Sequence, residues 1–222
     1  MNLGPLLQVK VSSKDEMGLL GIATDAYPST KQNQKDTSNV FLYYSFCQSK
    51  LECNNFVYKY DWIQNEEKLT NPKLLLKLPG LPGPSHSGGD MTIGPDGHLY
   101  LVIGDLLPTK LFNTDKKYNT QAQNYVDGVE PDGRAGILTF TKDGKPVDNG
   151  IGSAYPLNLY YAYGIKNSFG IGFDPVTGKL WDTENGPDFG DEINLIEPGF
   201  NGGWSKIPVS YTHLTLPTTS RV

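Results

Sequence analysis

Short runs of apolar and β-branched residues, each closed by a turn signal, repeat along the chain. Runs with strand character are NVFLYYSF, NFVYKYDWI, HLYLVIG, AGILTF and INLIEPG. A strand is also expected in KLTNPKLLLKLP, although LLLKL alone is compatible with a buried helical turn. The turn signals between the runs include GPDG (94–97), EPDG (130–133), TKDG (141–144), DPVTG (174–178) and EPGFNGG (197–203). No segment sustains a 3.6-residue apolar period, so the chain is predicted to be all-β.

The strand runs recur at a spacing that suits four-stranded antiparallel blades of roughly 40–50 residues, the repeat of a β-propeller. At that spacing the chain holds about four to five blades, or fewer once long loops are subtracted. Segment 106–130 is predicted to be such a loop, because it is polar and punctuated, with short helical turns expected only around 108–126. Loops of that length within a compact domain are usually functional or disordered.

The amino-acid composition and net charge of the chain limit the classes of function that it can have. Gly and Pro account for 25 and 16 of the 222 residues, which suits strands and tight turns. The net charge of −5, without a Lys/Arg-rich stripe, argues against nucleic acid as a main partner. No stretch approaches the roughly 18 apolar residues of a membrane span. The opening MNLGPLLQVKV lacks the basic leader and cleavage site of a signal peptide, which does not by itself place the protein in the cytoplasm.

The two cysteines, Cys47 and Cys53, are six positions apart and lack CxxC metal spacing. A small surface disulfide and two free thiols are both compatible with this spacing.

His86 stands directly before a small-residue segment and a strand–turn–strand that do not require a histidine. Asp105 closes the second of these strands, so a hairpin would return it close to His86. A histidine oriented by a carboxylate is the usual general base near neutral pH. The pair Gly88-Gly89 would let a flat ligand approach the backbone. The alternative is a surface loop histidine beside a turn aspartate.

Segment 161–204 carries a second group of polar residues: Lys166-Asn167, Glu184-Asn185-Gly186-Pro187 and Asp191-Glu192. Carboxylates together with backbone carbonyls in Gly/Pro loops are ligands that Ca²⁺ prefers, although the spacing is not that of an EF-hand. The alternative is an ordinary solvated acidic turn.

Four motifs in this order resemble the soluble glucose/sorbosone dehydrogenase family: EMGLLGIATD (16–25), HSGGDMTIGPDGHLYLVIGD (86–105), YGIKNSFGIGFDPVTGKLWDTENGPDFGDEINLI (163–196) and PGFNGGW (198–204). The resemblance implies a six-bladed β-propeller that uses pyrroloquinoline quinone (PQQ) and Ca²⁺ to oxidise aldose sugars. It spans about residues 16–204, and we assign 1–204 to a partial propeller domain. Segment 205–222, which contains His213, is set apart as an unassigned tail, non-native or disordered.

The resemblance also implies roles for individual residues. His86 is expected to be the general base and Asp105 to orient it. Three residues are expected to lie against the quinone: Glu16, Lys166 and Asn167. Gly186 and Pro187 are expected to hold the calcium of the cofactor through their carbonyls. A further calcium site is expected at the acidic pair Asp191-Glu192, with Glu192 preferred as ligand, together with Gly202.

Three departures from the family pattern are visible. Lys166 stands where the family has Arg, and a point charge on a flexible stem does not reproduce a planar, bidentate guanidinium. Gly202 stands where the family has Tyr. The later part of the propeller has no counterpart after Trp204, which predicts an incomplete propeller with open sheet edges, poorly stable and inactive as an isolated chain.

The resemblance therefore predicts PQQ- and calcium-dependent oxidation of the C1 hydroxyl of an aldose to the lactone, with electrons passed to an external acceptor. It also implies an extracytoplasmic location and admits a homodimer. Two alternatives remain open: a non-catalytic propeller that binds a partner, and a calcium-dependent lactone hydrolase on a similar propeller.

Overall fold

The structure, a computed structural model, describes residues 4–27, 37–63, 68–107, 118–148, 150–187 and 190–205. Its strands in chain order are β1 Leu19–Tyr27, β2 Thr37–Ser49, β3 Glu52–Ile63, β4 Thr70–Pro79, β5 Met91–Ile93, β6 Leu99–Ile103, β7 Gly136–Phe140, β8 Tyr160–Tyr163, β9 Ser168–Phe173, β10 Leu180–Glu184, β11 Glu192–Ile196 and β12 Phe200–Asn201. Helical structure among these residues is confined to two 3-10 turns, Gln121–Gln123 and Leu157–Leu159. The all-β prediction is confirmed, and β4 resolves the ambiguous LLLKL run as a strand.

The strands form three sheets, ordered β1-β2-β3-β4, β12-β8-β7-β6-β5 and β11-β10-β9. All pairings are antiparallel except β12 with β8. The first sheet extends over residues 19–79, longer than the predicted repeat, because β2 and β3 have 13 and 12 residues. Long strands and long loops explain why the described residues hold three sheets rather than the four to five that spacing alone suggested.

The sheets pack on one another in chain order, as the blades of a propeller do. Strand β6 demonstrates this, because all five of its residues are buried. Leu99, Leu101 and Ile103 join a core with the first sheet, whereas Tyr100 and Val102 join a core with the third sheet. Because side chains alternate between the two faces of a strand, the second sheet lies between its neighbours. The fold is an incomplete β-propeller.

Several local predictions can be compared with this arrangement. Cys47 and Cys53 face each other across β2 and β3 and form a disulfide, so the free-thiol alternative is wrong. Within the predicted loop 106–130, the described part contains the 3-10 turn at 121–123 and no extended strand, while 108–117 lie outside the described residues. Tail residues 206–222 also lie outside them. None of the helices in the described part of the chain is long and apolar enough to span a membrane.

Candidate active site

His86 and Asp105 are in direct contact. Nδ1 of His86 lies 2.7 Å from Oδ1 of Asp105. The histidine is 6% exposed and the aspartate is fully buried, so the alternative of a surface pair is wrong. Residue His86 lies in the connection before β5, and Asp105 lies just after β6. The pairing of β5 with β6 therefore brings the two residues together across the turn, as the hairpin argument predicted.

The backbone around this pair is closely packed. His86 has a left-handed backbone conformation with φ of +57°, which is uncommon for a residue other than glycine and is concentrated at functional sites. Gly104 lies between two backbone segments, since a Cβ added there would come within 2.6 Å of the Lys166 carbonyl oxygen and closer still to that of His86. The amide of Asp105 donates to the Lys166 carbonyl at 2.9 Å. Gly104 thus allows the histidine and lysine segments to approach each other.

Four donors hold the Asp105 carboxylate in one orientation. Oδ1 accepts from the His86 ring and, at 2.9 Å, from the backbone amide of Leu107. Oδ2 accepts from Nε1 of Trp204 at 2.7 Å and from Nε2 of Gln123 at 3.4 Å. We did not predict roles for Trp204 or Gln123. Trp204 closes one of the recognised motifs, whereas Gln123 lies in the long loop and gave no signal of its position.

Glu16 connects the histidine to the asparagine of the third segment. Its Oε2 accepts the His86 backbone amide at 2.6 Å and the Asn167 side-chain amide at 3.1 Å. The Asn167 side-chain oxygen in turn accepts the Gly88 amide at 3.2 Å. The structure therefore brings Glu16 and Asn167, both predicted to contact a cofactor, into one bonded network with His86.

Lys166 is buried, with 4% of its surface exposed. Its Nζ donates to the carbonyl oxygens of Gly186 at 3.0 Å and Asn185 at 3.3 Å, and lies 5.8 Å from the centre of the Trp204 ring. Burial lowers the pKa of Lys166 from its ordinary value, against the opposing effect of four carboxyl groups, Asp105, Glu16, Glu184 and Asp191. The side chain of Lys166 therefore interacts electrostatically with Asp105.

Glu184 holds the backbone of this lysine. Its Oε1 accepts the Lys166 amide at 2.5 Å. Burial raises the pKa of Glu184 to about 8, against the lowering effect of its hydrogen bond from the Lys166 amide. Sequence reasoning placed Glu184 in a motif but gave it no role.

The carbonyl of Gly186, one of the two expected to hold calcium, accepts the Lys166 ammonium. Its amide donates to Oδ1 of Asp191 at 2.9 Å, so that carboxylate is turned towards a backbone donor. Pro187 follows and is half-buried.

The residues of the further calcium site lie on different elements. Glu192 begins β11, paired with Glu184 of β10. Gly202 follows β12, and its amide donates to the Tyr163 carbonyl at 2.9 Å. Within the described ranges, no three His, Cys, Asp or Glu side chains are placed to hold a metal ion. This second site, which includes a backbone carbonyl, stays a prediction.

The arrangement fixes the chemistry of the histidine ring. An ionised carboxylate only accepts hydrogen bonds, so the neutral ring carries its proton on Nδ1 and its lone pair on Nε2. The position of the ring proton is inferred from the hydrogen-bond network, in which Asp105 is the partner of Nδ1. Nε2 is thus the atom that can take a proton from a ligand, while the nearby ammonium and amide favour an anionic or oxygen-rich molecule.

Comparisons with known proteins point to one family. The model of the Glucose / Sorbosone dehydrogenase family matches residues 4–221, which include most of the segment set apart as a tail. Quinoprotein glucose dehydrogenase B of Acinetobacter calcoaceticus is 32% identical over 197 residues, covering 86% of this chain and 40% of that protein. Aldose sugar dehydrogenase YliI of Escherichia coli K12 is 29% identical over 64% of this chain and 35% of its own length. The chain therefore spans about two fifths of the length of these curated relatives.

A solved structure agrees with the sequence matches. The PQQ-bound form of an aldose sugar dehydrogenase from Streptomyces coelicolor superposes with a TM-score of 0.63 at 28% identity. The superposition covers 89% of this chain and 51% of that one.

Proposed function

Because the chain belongs to the glucose/sorbosone dehydrogenase family, we propose that it oxidises the C1 hydroxyl of an aldose sugar to the lactone. The proposed cofactor is PQQ, with electrons passed on to an external acceptor. The buried His86–Asp105 pair, beside the Lys166 ammonium, is the observation that supports this proposal most strongly. A module that only binds partners has no need of a buried, carboxylate-oriented base.

The proposed roles follow from the contacts. His86 takes the proton of the C1 hydroxyl on Nε2, and Asp105 keeps the ring in the orientation and tautomer that leave this nitrogen basic. Asp105 also stabilises the positive charge that the ring then acquires. When bound, PQQ would supply the two-electron acceptor for the hydride that leaves C1. Glu16 holds the backbone of His86, and so fixes the base relative to Asn167.

The residues present fit an anionic quinone. Lys166 offers a buried positive charge, and its ammonium uses two of three donors on the carbonyls of Asn185 and Gly186. Asn167 offers a buried amide next to it. Both would hold the oxygens of the quinone, and the ring of the Trp204 indole is centred 5.8 Å from Nζ of the lysine.

The carbonyls of Gly186 and Pro187, which were expected to hold calcium, fit that ion less well than Lys166 and Asn167 fit the quinone. The Gly186 carbonyl already accepts an ammonium, and a divalent cation would have to share that oxygen with a like charge. We therefore assign calcium no part in the reaction of this chain at that position. The further calcium site at Asp191, Glu192 and Gly202 is proposed from the family resemblance alone, as are a homodimer and an extracytoplasmic location.

Dye-linked oxidation of aldoses, measured on the protein with and without added PQQ, tests the function. Activity should require PQQ and should fall by about 10²–10⁴-fold in His86→Ala, the usual contribution of a positioned base. The matched control is His98→Ala, because His98 forms a similar pair with Asp96 at 2.9 Å but lies at the surface. That variant should retain full activity. An absorbance spectrum of PQQ that does not change on titration with protein would contradict the proposal and favour the binding module.

A further inference from the structure

We propose that the Lys166 ammonium is a built-in cation that occupies the position expected for calcium at the Gly186 carbonyl. The inference rests on the proposed function for its role in the reaction, but its geometry does not depend on that function. It concerns a residue in which this chain departs from the family pattern.

Two backbone carbonyls converge on Nζ of Lys166, at 3.0 Å from Gly186 and 3.3 Å from Asn185. The contact with Gly186 has the length of an ordinary hydrogen bond, and the contact with Asn185 is slightly longer. The lysine is 4% exposed, so its position is set by packing and not by solvent. Its own backbone is held at both ends, since its amide donates to Glu184 and its carbonyl accepts from Asp105.

An ammonium and a metal ion compete for the same oxygen. Calcium takes six to eight oxygen ligands, and each ligand lone pair that an N–H occupies is lost to the ion. The repulsion between the ammonium and a divalent ion a few ångströms away is strong, because little solvent screens a buried charge. Asp191, a candidate carboxylate ligand, accepts the Gly186 amide through Oδ1.

Lysine suits this arrangement better than arginine does. Its ammonium is a compact charge with three donors that point in different directions, whereas guanidinium donors lie in one plane. Two of the three donors are used by the carbonyls of Asn185 and Gly186, and the third can polarise an oxygen of a bound ligand. The lysine would thus supply the positive charge next to the cofactor without a metal.

Terbium binding to the protein, without sugar or quinone, tests this inference. Tb³⁺ takes oxygen ligands as Ca²⁺ does and emits when it receives energy from a nearby indole, and Trp204 lies 5.8 Å from Nζ. The wild-type chain should give no saturable emission from this position. Lys166→Met should bind Tb³⁺ at least about tenfold more tightly, because the like charge is removed, and Ca²⁺ should displace the ion.

A matched pair of second substitutions locates the ion. In the Lys166→Met background, Trp204→Phe should abolish the emission and Trp181→Phe should not, since Trp181 is exposed on the outer face of β10. Wild-type binding with Ca²⁺-sensitive emission from Trp204 that persists in Glu192→Gln, which removes a ligand of the further calcium site, would overturn the inference. Absence of binding in folded Lys166→Met would also overturn it, and Lys166→Gln replaces that variant if it does not fold. Since no sugar or quinone is present, neither result bears on the oxidation assay.

Discussion

The Asp105→Asn substitution tests the orientation of the histidine with almost no change of volume. In the wild type, the carboxylate accepts from four donors, including Nδ1 of His86 and Nε1 of Trp204, both at 2.7 Å. An amide has one accepting and one donating end. If the donating end faces His86, the ring proton moves to Nε2 and the base loses its lone pair. If it faces Trp204 instead, two donors oppose each other in a fully buried position.

Both outcomes have a calculable size. Loss of the correct tautomer removes the contribution of the general base, about 10²–10⁴-fold in kcat/KM or roughly 3–5 kcal/mol of barrier. A buried donor left without an acceptor costs about 1–3 kcal/mol of folding stability. Oδ1 also accepts the Leu107 amide, so both orientations place a donor against a donor and cost stability. Only the first orientation also removes the tautomer, so it gives the larger loss of activity.

The assay is dye-linked aldose oxidation together with urea unfolding of the same samples. The control for activity is Asp96→Asn, since Asp96 forms the corresponding pair with His98 in a partly exposed position and should leave kcat/KM unchanged. A value of kcat/KM for Asp105→Asn within about threefold of the wild type would refute the role of the pair, because the tautomer effect is far larger.

Two further substitutions test the close packing at Gly104 and the burial of the Asp182 carboxyl group on β10. Gly104→Ala should destabilise the chain by about 1–3 kcal/mol in urea unfolding, because the new Cβ would come within 2.6 Å of the Lys166 carbonyl oxygen. The control is Gly172→Ala, which should be nearly neutral because no heavy atom lies within 4 Å of the added Cβ. Equal effects of the two would contradict the close approach. For Asp182, burial raises the pKa from 3.8 to about 6. The neighbouring Ser168 and Asn194 lower the pKa by less than burial raises it. Because the pKa is raised in the folded state, this group stabilises the protein below pH ~4, and the contribution is lost as the pH rises to ~6. Asp182→Asn should therefore raise the free energy of unfolding by up to about 3 kcal/mol at pH 8 and change it little at pH 4. A pH-independent difference in thermal unfolding would count against this.

The sequence predicted those strands that are marked by turn residues and by an alternating pattern of apolar side chains. Turn residues with alternating strand runs located β2, β3, β6, β7 and β11, because the turns and the period-two pattern are local properties. The contact between His86 and Asp105 was predictable for the same reason, since one hairpin connects them. Composition placed the chain correctly in the all-β class.

The contacts that depend on packing between sheets could not be predicted. Gln123 reaches Asp105 from a loop without periodicity, and Trp204 reaches it across 99 positions of sequence. The family resemblance indicated that Lys166 stands where the family has arginine, but not that its ammonium bonds backbone carbonyls 19 and 20 positions away. Such partners are set by how three sheets meet, which no local pattern encodes.

The distribution of these partners bears on the expectation that the chain alone is inactive. Every bond described here to His86, Asp105 and Lys166 comes from within residues 16–204, although the chain spans only about two fifths of the length of its curated relatives. Glu16 lies just before the first sheet, the His86–Asp105 pair flanks strands of the second, and Lys166 leads into the third. The orientation of His86 therefore depends on three consecutive sheets packed together.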